Sequence, residues 1–121
     1  MTMTMRWRTQ AVHDRLAADE RFVAALPLIE AAAGDERNYV KKAVNWALRN
    51  IGKRNRALHA AAMACAGRIL AAANRRAGGK RGGDAAARSA RWVAADTLRE
   101  LGSEKVSARL EAINEKRSRA R

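Results

Sequence analysis

The sequence predicts an all-α protein built by stacking helical pairs, and three observations carry that prediction. Alanine supplies much of an apolar share of 48%, while aromatic residues make up only 4%. Alanine favours helix and lets helices approach closely. β-branched residues never alternate over the length of a strand. Apolar residues instead recur at i, i+3, i+4 and i+7, and one such window returns fifty residues later. At 121 residues the chain suits one small domain rather than two.

Taken in order, TQAVHDRLAA (9–18) can form a short helix with Ala11, Val12, Leu16 and Ala17 inward. Asp19 reads as the N-cap of a second helix running through Phe22, Val23, Leu26, Ile29 and Ala33. Pro27 lacks an N–H and should kink this helix or break it after Leu26. Gly34 ends it, and Asp35 and Glu36 put negative charge where the next helix begins.

That next helix, YVKKAVNWALRNIGK (39–53), is the most informative stretch of the chain. Val40, Ala43, Val44, Ala47, Leu48 and Ile51 form an unbroken apolar stripe, and Gly52 is a suitable C-cap. The opposite side carries Tyr39, Lys42, Trp46, Arg49, Asn50 and Lys53, so an indole stands between cations four residues before it and three after it. A solvated face has no need of an indole. Periodicity alone leaves Trp46 either packed against a neighbouring pair or presented to a ligand.

Asn55 can cap an alanine-rich helix from about Arg56 to Ala73, with Leu58, Ala61, Ala62, Cys65, Ile69 and Leu70 inward. NRRAGGKRGGD (74–84) follows as a basic, glycine-rich loop whose Arg75, Arg76, Lys80 and Arg81 suit phosphate contact. A fifth helix runs from about Ala85 to Leu101 on a stripe of Ala90, Val93, Ala94, Thr97, Leu98 and Leu101, with Arg88, Trp92 and Arg99 opposite. Trp92 reads as packing, with Arg91 and Arg99 as groove cations or as partners for Asp96 and Glu100. Ser103 caps a sixth helix to about Asn114, and the basic tail 115–121 reads as frayed.

A shift of fifty residues lays VKKAVNWALRNIG (40–52) on ARWVAADTLRELG (90–102), with Leu48/Leu98, Arg49/Arg99 and Gly52/Gly102 identical. Trp46 then falls on Asp96, and Trp92 on Lys42. Repetition of this kind marks stacked helical pairs, here about three, over 9–33, 37–73 and 85–114. The result is a HEAT-like α-solenoid forming a single domain over 1–121.

Net charge is +13 and pI about 11.5. Such an excess points to a polyanion, with nucleic acid first and an acidic membrane surface second. No helix pairs a bulky apolar face with a lysine-rich one, and no run reaches transmembrane length, which weighs against a membrane. Cys65 is the only cysteine, so a reducing, cytoplasmic setting is expected. His13, His59 and Cys65 lack metal-ligand spacing, and the glycines fit no phosphate-binding fingerprint. No metal or cofactor is expected.

DERNYVKKAVNWALRNIGKRN (35–55) resembles the C-terminal repeats of the bacterial DNA alkylation repair family, HEAT-like-repeat glycosylases acting on cationic alkylated purines such as 3-methyladenine and 7-methylguanine. ARWVAADTLRELGSEKVSARL (90–110) looks like the closing segment of the same family. The resemblance implies a basic concave groove for duplex DNA, with Trp46 as one wall of an aromatic cleft at the lesion. By the same analogy Lys41, Lys42, Arg49, Lys53 and Arg54 serve the DNA backbone, and the base is not flipped into a pocket. Full-length members carry earlier repeats with a catalytic aspartate, a second cleft tryptophan and an arginine. None of those motifs stands here, and the catalytic aspartate is not carried onto Asp14. The resemblance therefore implies the C-terminal half of the family, with its N-terminal end exposed to a partner or a second copy.

Alkylation at purine N3 or N7 places positive charge on the base and weakens its bond to the sugar. An indole can hold such a base by about 0.5–2 kcal/mol, and a carboxylate can steady the developing sugar cation. Trp46 is a candidate for the first role; no carboxylate is singled out for the second. Catalytic residues are thus unassigned. Three readings stand: a DNA-binding module of the repair family, a glycosylase, and a protein-interaction scaffold or truncated remnant.

Overall fold

A computed structural model describes residues 18–76 and 84–119. Among these residues there are five helices and no strand: α1 over 18–32, α2 Asn38–Gly52, α3 Arg56–Arg76, α4 Ala85–Leu101 and α5 Glu104–Arg119. The fold is all-α and solenoid-like, as the periodicity predicts.

Two layers can be read from the contacts. α1 runs alongside α3 in the same direction: Asn55 donates to Asp19, Cys65 approaches the Leu26 carbonyl, and Arg68 meets Glu30. α2 runs alongside α4, also in the same direction. The Asn45 amide donates to the Val93 carbonyl (3.4 Å) and to Thr97 Oγ1 (3.3 Å), and Gly52 lies against Leu101. These partners sit 48, 52 and 49 positions apart, so the fifty-residue repeat is also a step in space. α3 is antiparallel to both α2 and α4 and joins the layers; near its start His59 Nε2 donates to the Leu101 carbonyl at 2.7 Å.

Leu48, Leu58, Val93 and Leu101 are among the largest fully buried side chains. The core around them is rich in alanine, including Ala62, Ala66, Ala73, Ala90 and Ala94. Small residues permit the tight helix spacing. At Gly52 an added Cβ would stand 2.5 Å from Leu101 Cδ1 and 3.2 Å from the Ala62 Cβ, so close approach requires glycine there. That is a different role from the expected C-cap. Gly52 is the last helical residue, and Lys53 caps the helix with its N–H on the Arg49 and Asn50 carbonyls.

Caps set the other boundaries. Asn55 Oδ1 accepts from the Leu58 N–H and Ser103 Oγ from Val106, as anticipated, and Asp84 accepts from Ala87. Ser89 Oγ is shared between the Ala33 and Asp35 carbonyls, which ties the start of α4 to the α1–α2 turn.

Several expectations need correction. Asp19 is no N-cap, because the helix already runs at residue 18 and its carboxylate is taken by Asn55. Helix α1 continues through Pro27, which lies on its exposed face near the half-exposed Val23, where the carbonyl left without a donor can be hydrated. Val23 and Ala43 are exposed rather than inward. α3 extends to Arg76, so Asn74, Arg75 and Arg76 are helical and not loop. α5 extends to Arg119, with Lys116, Arg117 and Arg119 in a last turn where cations suit the helix dipole, so 115–119 is helical rather than tail. The helix expected over 9–17 and the glycine segment 77–83 lie outside the described residues.

Candidate nucleic-acid interface

The cationic side of α2 is open. Trp46 is 63% exposed and Tyr39 and Lys42 are exposed, so the indole is not packed into the core formed by the described helices. The exposure follows from register. α2 turns Val44, Leu48 and Ile51 into the core and Asn45 toward α4, leaving Lys42 and Trp46 to point away. On α4, Trp92 is also on the surface, 42% exposed, rather than buried packing. The two tryptophans come from adjacent parallel helices and are offset by about one turn, roughly 6 Å along the axis.

The remaining cations divide by what holds them. Lys53 pairs with Glu100 (2.7 Å), Arg99 with Asp96 (2.6 Å), and Arg76 with Asp84 (3.6 Å). Of the two carboxylates suggested for Arg99 it takes Asp96; Glu100 goes across to α2. Lys41 stands over the Trp92 ring, and Arg54 over Phe22 with its Cζ 4.4 Å from the centroid. Arg49 is half-buried near Glu100, and its Nε has no hydrogen-bond partner. Arg75 is exposed and Arg91 half-buried. Lys80 and Arg81 lie outside the described residues. The open part of the surface is thus Lys42 and Trp46, flanked by Arg49, with a rim of cations that already carry partners.

Sequence reasoning offered Asp96 to Arg99 but missed the pairing of Lys53 with Glu100. The signal was available: the fifty-residue shift sets Glu100 on Asn50, one turn from Lys53. It also missed Asn45, buried within a stripe read only from its apolar members.

Electrostatics reinforce the pairings. The Lys53 ammonium, by hydrogen bond and charge, holds the Glu100 carboxyl below its ordinary range. The Arg37 side chain, helped by its N–H, holds Asp35 down at about 2, and the Ala87 N–H lowers Asp84. Burial pushes the Cys65 thiol up, with Glu30 adding to the effect, which suits an inert core residue. Each lowered carboxylate is ionised more readily in the fold than in the unfolded chain. Its contribution to stability is therefore full above the ordinary value and is lost as pH falls through the lowered one. Thermal melts should hold steady above about pH 4.5 and drop progressively toward about pH 2. A melting temperature unchanged over that window would contradict these pairings.

Among the described residues, surface clefts of about 380, 150 and 520 Å³ are lined by α1, α3, α4, α5 and adjoining turns, away from Trp46. At 63% exposure, the Trp46 ring itself is open to a ligand. Among the described residues no group of three or more His, Cys, Asp or Glu could hold a metal ion, and no helix is long and apolar enough to cross a membrane.

The fold and this face describe a strongly basic helical stack that presents an indole among cations. A family profile described as DNA alkylation repair enzyme matches residues 1–81 of the 121, and the chain belongs to that family. The match takes in α1, α2 and α3, with Trp46, and ends before α4. It begins at residue 1, so it also includes the segment before residue 18, and it stops short of the resemblance at 90–110. Searches of curated proteins and of solved structures return no match.

Proposed function

We propose that this chain is a DNA-binding module of the alkylation repair family, which grips duplex DNA through its basic face and contacts a cationic alkylated purine with Trp46. The observation that carries the reading is the exposure of Trp46 between Lys42 and Arg49, within the span matched by the family. Phosphates supply sequence-independent affinity through the cations, and the indole adds attraction for a positively charged base. The openness of the surface suits a base approached from the side of the duplex.

Binding is better supported than excision. Cleavage of the base–sugar bond needs an anion to steady the sugar cation, and both carboxylates of α4 are held by cations, Asp96 by Arg99 and Glu100 by Lys53. The test compares affinity for 7-methylguanine-containing and unmodified duplexes. The wild-type protein should prefer the alkylated duplex, and Trp46→Ala should reduce that preference by about 2- to 30-fold. Equal affinities for both duplexes, or a preference that survives the substitution, would refute the role given to Trp46. Release of free 7-methylguanine in the same mixtures would instead establish a glycosylase.

One observation favours a second component to this function. Helix α1 exposes Val23 (50%) and Leu28 (73%), an apolar edge suited to a covering partner or second copy. Light scattering after size exclusion reads this directly: a monomer in the absence of DNA would argue against self-association.

A further inference from the structure

The two indoles of this surface differ in what covers them. The Lys41 ammonium stands over the Trp92 ring, with Nζ 5.1 Å from the centroid. Trp46 is the more exposed of the two, and among the described residues no cation stands over its ring. Lys41 belongs to α2 and Trp92 to α4. They are brought together by the packing that sets Asn45 on Val93 and Thr97 and Gly52 on Leu101. The core therefore delivers the lysine to the ring.

An ammonium within about 6 Å of an indole centroid takes the electrostatically favoured place over the ring. A second cation must displace it from that face, and on the other face is held more weakly because of the ammonium's charge across the ring. From this geometry we infer that Lys41 is a built-in plug on Trp92, closing that indole to cationic aromatic ligands and leaving Trp46 as the open one. The choice of ligand rests on the reading of Trp46 given above; the plug itself rests on the Lys41–Trp92 contact.

Single-tryptophan proteins separate the two rings, with Trp7 replaced by phenylalanine in both. The probe is 7-methylguanosine, whose ring carries positive charge, with guanosine as the neutral control, and the readout is tryptophan fluorescence. The Trp46 protein (W7F/W92F) should be quenched by 7-methylguanosine. The Trp92 protein (W7F/W46F) should bind it at least about threefold more weakly. Adding Lys41→Gln to the Trp92 protein should tighten binding by about two- to fivefold. Lys105→Gln removes the same charge from the exposed side of α5 and should change nothing, and Lys41→Arg should keep the ring closed. Circular dichroism on each variant checks that the helices persist.

The plug is overturned if Lys41→Gln leaves the Trp92 response unaltered, or if Lys105→Gln gives the same gain, since bulk charge would then account for it. It is equally overturned if Trp92 binds as tightly as Trp46 while Lys41 is in place. A Trp46 protein that fails to respond overturns the reading of Trp46 but not the plug, which the Trp92 variants read separately.

Discussion

Leu48→Ala should lower the unfolding free energy by about 2–5 kcal/mol, in the upper part of that range. Leu48 is fully buried on α2, within a core where alanine is the commonest residue. Alanine has no rotamer to swing into a void, so the cavity cannot collapse and the full loss of packing is felt. Small domains are stable by only about 5–15 kcal/mol, so this one change removes a large fraction of the total. Urea unfolding monitored by circular dichroism measures it as a shift in midpoint at constant slope. A loss below about 1 kcal/mol would mean that the core relaxes around the gap, contrary to the close packing at Gly52.

Duplex affinity should fall roughly 40- to 500-fold between 50 and 200 mM salt, the response expected if three to five phosphates are neutralised. The pairings make a sharper expectation possible. Lys53 is held by Glu100 at 2.7 Å, so it is only partly available to a phosphate. Glu100→Gln should release it, raising affinity at low salt and steepening the slope of log K against log salt by up to about 0.9. Lys42→Gln, at an exposed cation, should reduce the slope by a similar amount. Fluorescence anisotropy over a salt series gives both. A flat salt response would remove DNA as the partner. A Glu100→Gln protein with unchanged slope would place Lys53 off the contact surface.

Much of the fold was legible because the helices bury single, regular stripes. α4 runs between the residues the pattern indicated, and its stripe of Ala90, Val93, Ala94, Thr97 and Leu101 is buried. Local chemistry also reads locally, as the caps at Asn55 and Ser103 show. What failed was tertiary. Asp19 looks like a cap in sequence, yet its partner is Asn55 on another helix, and Pro27 is carried through a helix whose neighbours hold it. The side chains around Trp46 were named by type, but their states depend on α4. Lys53 meets Glu100 and Lys41 meets Trp92 only because two parallel helices lie at one particular offset.

That offset has a keeper. A seam of alanine, valine and leucine sets the docking by shape alone, with Gly52 tight against Leu101. The Asn45 amide, almost wholly buried, bonds to both the Val93 carbonyl and Thr97 Oγ1, and a slipped seam would strand it without partners. It works as an index pin, in the way a single buried asparagine sets register in a coiled coil. The spacing of Trp46 from Trp92, and with it the geometry offered to a ligand, is thus gauged by a side chain that no ligand touches.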